Sequence, residues 1–313
     1  MRVKDQPQLF NPPSGAIATA NHNILPSGYK HTIAFEWASG YRFERVRQRL
    51  DGKKQFSLDD FRSIQQENTS LPGQVLVRLV KTVDMKDAAL AAYVKLLADW
   101  DGVLSRKSAA APLHAAWITE IQDTLYRRKV PKELLAAAKA VGNMRVLLTA
   151  LEKADPKWFG DHPKDQRDRF LRSTFARAVE KVKAKLGPDP GKWSWGKLHT
   201  ATFRHPLATL GPEYEKAFNL GPVGRPGDAL TPNNTRHDEN LRQVHGATYR
   251  QVFDLADWDH GLATSAPGQS GQPGSPHYGD LLPLWAEGQY FPLAFSRAKV
   301  EEVTRHRLRL NPR

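Results

Sequence analysis

A chain of 313 residues, 40% hydrophobic and 25% charged, is long enough for a sizeable core and has the make-up of an ordinary globular protein. Its net charge of +13 is scattered along the chain without an RNA-binding signature or zinc-finger spacing, so nucleic acid is not an expected partner. Cysteine is absent, which excludes disulfides, thiol catalysis and thiolate metal sites, and no apolar run reaches the roughly eighteen residues of a membrane span, so no membrane partner is expected either.

The N-terminus, Met1-Arg2-Val3-Lys4-Asp5-Gln6-Pro7, has no apolar segment of signal-peptide type. The turn cluster Asn11-Pro12-Pro13-Ser14-Gly15 precedes Ala16 to Ala20, a short apolar run that predicts a buried strand; His31 to Trp37 predicts a second. From Tyr41 to Leu50 the residues Phe43, Val46 and Leu50 fall on one face of a helix. Ser57 and Asp60 form a capping-box pattern ahead of Leu58, Phe61 and Ile64. Helical patterning continues through Ala89 to Trp100, Pro131 to Leu151 and Asp165 to Leu186. The last carries an apolar stripe of Phe170, Phe175, Val179, Val182 and Leu186, ended by Gly187-Pro188. This block predicts a helical lobe over about 56–186. Beyond 187 the chain turns rich in Pro, Gly, Asn and Trp, with strands predicted at Tyr249 to Leu255 and from Gly261 to Ser265, a loop over Gly268 to Ser275 and a short basic helix over Lys299 to Arg309. No repeat or clean linker divides the chain, so the predicted class is α+β over 1–313, a helical lobe plus a mixed strand and loop region at 187–313.

Common catalytic signatures are missing: there is no phosphate-binding glycine loop, no His-Glu-x-x-His helix and no Gly-x-Ser-x-Gly elbow. His199 and His205 lie six apart in a Trp-rich loop, a spacing that does not by itself point to a metal. Five segments are informative together. They are Asn11-Pro12-Pro13-Ser14-Gly15-Ala16-Ile17-Ala18-Thr19-Ala20-Asn21; Gly40-Tyr41-Arg42 with Arg45-Val46; Trp193-Ser194-Trp195-Gly196-Lys197-Leu198-His199 with Phe203-Arg204-His205-Pro206; Gly246-Ala247-Thr248-Tyr249-Arg250 with Asp254; and Pro267 to Tyr278 followed by Trp285, Gly288 and Tyr290. In this order and at these separations, over about residues 7 to 295, the chain resembles the C-terminal part of the β chain of penicillin acylases, which are N-terminal-nucleophile (Ntn) hydrolases.

The resemblance implies part of the family's four-layer αββα sandwich with an added helical lobe, and an amidohydrolase that cleaves the acyl amide of a β-lactam or related N-acyl compound. In that family the nucleophile is an N-terminal serine whose own α-amine, titrating near neutrality, serves as general base. Here position 1 is Met and the matching region begins downstream of that serine, so no residue inherits the role and the isolated chain is expected to be inactive. The implied partners are the missing N-terminal half (the α chain and the start of the β chain) and a small-molecule acyl amide. Asn21 matches the asparagine that donates to the oxyanion, Arg42 an arginine that supports it, and Asp254 an acidic group that orients the site in some relatives. The family's calcium site uses an aspartate where this chain has Lys30-His31-Thr32, so a hard cation would lack a preferred oxygen ligand and no cofactor or metal is expected. Intact members are often periplasmic or secreted; these residues leave the compartment open. They also leave open a non-catalytic binding protein on the same scaffold and a truncated fragment with no independent activity.

Overall fold

The structure, a computed structural model, describes residues 2–85 and 87–312. In chain order the helices are α1 (Tyr41–Asp51), α2 (Leu58–Gln65), α3 (Leu71–Thr82), α4 (Ala91–Ala98), α5 (Ala110–Lys129), α6 (Leu135–Val141), α7 (Met144–Lys153), α8 (Pro156–Phe159), α9 (Pro163–Leu186), α10 (Trp195–Leu198), α11 (Pro212–Phe218), α12 (Leu282–Ala286) and α13 (Arg297–Val303). The strands are β1 (Thr200–Phe203), β2 (Leu220–Gly224), β3 (Arg236–His237), β4 (Gln243–His245), β5 (Arg250–Val252), β6 (Gly261–Thr264) and β7 (Phe291–Leu293). With 47% helix and 8% strand, the α+β class holds. The chain falls into two compact units. The first takes in residues up to Lys54, Glu67–Thr200 and Gly224–His245; the second takes in Gln55–Gln66, Ala201–Val223 and the chain from Gly246 onward.

The first unit is built on α5 packed against α9. In α5, Leu113, Trp117, Ile121 and Leu125 recur every four residues and all are fully buried, the spacing that stacks side chains on one helix face. From α9 they meet Phe170, Phe175, Val179 and Val182, with Leu76 and Leu79 of α3 and Leu147, Leu148 and Leu151 of α7 in the same core. Each such side chain contributes about 1.5–3 kcal/mol through burial. The Trp117 indole N–H donates to Thr174 Oγ1 at 3.0 Å, so its one polar atom is satisfied in the apolar interior. The stripe predicted for α9 is therefore core. The single helix predicted over Pro131 to Leu151 is instead two, because the chain breaks at Gly142 and Asn143 restarts it, its side chain accepting from Arg145 N at 2.9 Å.

In the second unit β5, β6 and β7 form an antiparallel sheet with Arg250 opposite Thr264, Val252 opposite Leu262, and Gly261 opposite Leu293. β1 and β2 lie side by side, and Gly221 is required there: its φ is +99°, and a Cβ would approach Ala201 O to 2.6 Å. Trp285, Leu282 and Ala201 form the small core of this unit. The capping box before α2 is complete, with Ser57 Oγ accepting from Asp60 N and Asp60 Oδ2 accepting from Ser57 N. The helix predicted to Arg309 ends at Val303.

Two predicted strands are absent. Neither Ala16 to Ala20 nor His31 to Trp37 is paired in a ladder among the described residues, and both run as irregular chain. A strand needs a neighbour to take its N–H and C=O groups, and these segments have none here. Their largest exposed side chains are Phe35 at 94% and Ile17 at 56%, while Ala16, Ala18, Ala20 and Trp37 are half-buried.

Candidate functional site

Asn21 sits in the left-handed region at φ +59°, a conformation that asparagine tolerates better than most residues. Two contacts from one short stretch hold it. Its backbone carbonyl accepts from Ala38 N at 2.8 Å, and its side-chain Oδ1 accepts from Arg42 Nη2 at 2.8 Å. A guanidinium is a donor only, so the contacting atom must be the amide oxygen. The Asn21 NH2 group is consequently not the one that meets Arg42. Next to it the His22 ring stacks on Phe43, centroids 3.6 Å apart.

Arg42 reaches Asn21 because of how α1 begins. Gly40, at φ +82°, turns the chain into the helix, placing Tyr41, Arg42 and Phe43 in its first turn. Tyr41 is buried, and burial is the main cause that pushes its phenol up to about 12. Burial also lowers the affinity of Arg42 for its proton, though a guanidinium so basic stays charged. Farther along α1, Arg45 and Arg49 pair with Glu67 at 3.1 and 2.5 Å. Burial would raise Glu67; the Thr69 hydroxyl and amide and then the two arginines outweigh it and bring the carboxyl down to about 2.

A fourth arginine comes from α7. Arg145 Nε donates to Ser39 O at 3.1 Å, its Nη2 pairs with Glu44 at 2.5 Å, and its guanidinium carbon lies 4.3 Å from the centre of the Tyr41 ring. No sequence signal marks it, since it stands 103 residues after Arg42 in a helix of unrelated pattern.

The structure thus brings Asn21 and Arg42 together. Asp254 belongs to the second unit, where its Oδ1 accepts from Ala256 N at 2.9 Å and serves a local turn. The Trp-rich motif is largely core. Trp195 is fully buried, donates to Gly227 O at 3.0 Å and stacks on His199, whose Nδ1 faces Leu241 O at 3.0 Å. Burial, the leading cause, holds the His199 imidazole down at about 4. His205 instead accepts from Leu207 N through Nδ1. Among the described residues no group of three or more His, Asp or Glu is gathered as a metal cage. No single helix among the described residues is long and apolar enough to cross a membrane.

Comparison with known proteins gives the family and the fold. The model of the penicillin amidase family matches residues 1–302. The chain is 25% identical over 315 residues to the penicillin acylase 2 proenzyme of Pseudomonas sp. (strain SE83), covering 96% of the chain and 39% of that protein. It is 26% identical over 345 residues to the acyl-homoserine lactone acylase QuiP of Pseudomonas aeruginosa, covering 98% and 40%, and 28% identical to QuiP of Pseudomonas putida, covering 90% and 37%. The chain therefore spans about two-fifths of the length of the curated relatives it matches. Among solved structures, a thermostable penicillin G acylase from Alcaligenes faecalis superposes with a TM-score of 0.65 at 19% identity, over 97% of this chain and 58% of the other, which extends the likeness to the Ntn-hydrolase fold. By its motifs, its fold and these matches, the chain belongs to the penicillin amidase family of amide hydrolases.

Proposed function

We propose that this chain is the C-terminal portion of an N-terminal-serine amidohydrolase, in which Asn21 donates to the oxyanion and Arg42 aims it. The acyl amide of a β-lactam or related N-acyl compound is the substrate class. The observation that carries the reading is the Arg42 to Asn21 hydrogen bond, which engages the amide oxygen and leaves the NH2 donors to other partners. In the full enzyme the serine hydroxyl, from a segment preceding the matched region, adds to the substrate carbonyl while its α-amine takes the proton. The carbonyl oxygen gains charge opposite Asn21 Nδ2, the amine leaves with a proton returned to it, and water then hydrolyses the acyl-serine ester. A donor of this kind acts mainly on the transition state and is worth about 3–4 kcal/mol. Asp254 is assigned an orienting part only by its position in the motif.

The test is an amidase assay with a chromogenic N-acyl anilide, run on the 313-residue chain alone and on the chain produced together with a serine-bearing N-terminal portion. The chain alone is expected to show no turnover. The combined protein is expected to turn over, and Asn21→Ala to lower kcat by about 100- to 1,000-fold. Turnover by the chain alone that depends on Asn21, or a combined enzyme indifferent to Asn21→Ala, overturns the proposal.

A further inference from the structure

We infer that Arg145 is a positioning residue for Asn21, acting through the turn that opens α1. The inference rests on the functional reading of Asn21 given above only for its effect on catalysis; the positioning itself is a matter of geometry. Both bonds that hold Asn21 start within residues 38–42, one from Ala38 N and one from Arg42 Nη2. That stretch is what Arg145 grips. Its guanidinium donates to the Ser39 carbonyl, pairs with Glu44 one turn into α1 and covers the buried Tyr41 ring. A planar fork with donors on separate edges can make these contacts at once, which a lysine ammonium cannot.

The anchor behind Arg145 is firm. It lies in the first turn of α7, whose Leu147, Leu148 and Leu151 are each 1% exposed or less, and its backbone N–H is capped by Asn143. A cation in the first turn of a helix opposes the helix dipole, so its charge is not explained by the stability of α7. Its contacts lie elsewhere, on the Gly40 turn. The guanidinium lies directly against this turn, Nη2 being 3.7 Å from where a Cβ on Gly40 would sit, an ordinary contact distance. The line of contact thus runs from the α5–α9 core through α7 and Arg145 to residues 38–42, and from there to Asn21. Besides Arg145, α7 shares with this turn the apolar core that contains Tyr41, Leu147, Leu148 and Leu151.

The experiment uses the isotopically labelled full chain and follows the Asn21 side-chain NH2 signals, identified with Asn21→Asp, and the Ala38 amide. In Arg145→Ala both sets of signals are expected to move, and exchange of the Ala38 amide proton to speed up by about tenfold as the turn opens locally. Arg145→Lys is expected to fall between, keeping a charge for Glu44 but losing the fork. Arg177→Ala, which removes an arginine of the same unit paired with Glu120, is expected to leave them unmoved. Unchanged Asn21 and Ala38 signals in Arg145→Ala overturn the inference. Should that variant fail to fold, Arg145→Lys and Glu44→Gln decide in the same way, a null result in both overturning it. In the combined enzyme Arg145→Ala is expected to lower kcat by about 10- to 100-fold, the effect of a donor displaced by up to about 1 Å, with KM held within about twofold. If Asn21→Ala lowers kcat and Arg145→Ala does not, the positioning role is wrong. If Asn21→Ala itself has no effect, the functional reading fails and the resonance data alone decide the fate of Arg145.

Discussion

The helical body around α5 and α9 and the segment from Gln6 to Gly40 have comparable local apolar signals but opposite fates. In the body, Trp117, Leu113 and Phe175 find one another within the chain and are fully buried. In the segment, Phe10, Ile17 and Phe35 are more than half exposed, and no regular element forms between Gln6 and Gly40. The difference teaches that apolar sequence creates order only where it has something to pack on. The Asn21 loop of this segment is held by Arg42 of α1, and the Gly40 turn beside it by Arg145 of α7.

Three experiments break or sharpen this contrast. The largest effect is expected from a matched pair of truncations. Trp117→Ala should cost about 3–5 kcal/mol in equilibrium unfolding, since it empties a filled core and removes the indole hydrogen bond to Thr174, whereas Phe35→Ala should change stability by no more than about 0.5 kcal/mol. Equal costs would mean the segment is packed in solution and the contrast is false.

Acid comes next. His199 is held neutral at about 4, below its ordinary 6.5. Folding therefore gains from its neutrality above pH 6.5, and that gain is lost as pH falls from 6.5 to 4, when the unfolded chain takes up the proton first. A shift of this size corresponds to about 3 kcal/mol. Glu67, held down at about 2, adds stability that is present above pH 4.5 and lost between 4.5 and 2. Denaturant melts at a series of pH values should fall through both windows, and Glu67→Gln should flatten the lower one. A stability constant from pH 7 to 4 would show that His199 is not sealed in the body.

The smallest effect compares two asparagines that make the same kind of bond. Asn143 accepts from Arg145 N at the start of α7, and Asn23 accepts from Leu25 N in the segment. Asn143→Ala should cost about 1 kcal/mol as a lost helix cap, and Asn23→Ala less than about 0.5 kcal/mol. Thermal melts that ranked them the other way would reverse the reading of the two regions.

Much of this was legible in the residues. The Ser57 and Asp60 box, the α9 stripe and the start of α1 were read correctly because helix hydrogen bonds and caps lie within a few residues of one another. Asn21 and Arg42 were found through ordered motifs, which mark positions but not contacts. The same motifs gave no hint that Trp195 and His199 are core, because a buried aromatic and a functional one look alike in a one-dimensional pattern.

By itself, then, the sequence determined α1, α2 and α9 with the caps at their ends, the lack of thiol chemistry and the family. Only the tertiary structure decided that Ala16 to Ala20 and His31 to Trp37 are not strands, that Arg42 grips Asn21 by its amide oxygen, and that Arg145 reaches the Gly40 turn across 105 residues. Those outcomes depend on partners distant along the chain. A ladder hydrogen bond or an ion pair exists only when packing elsewhere has brought both of its ends together.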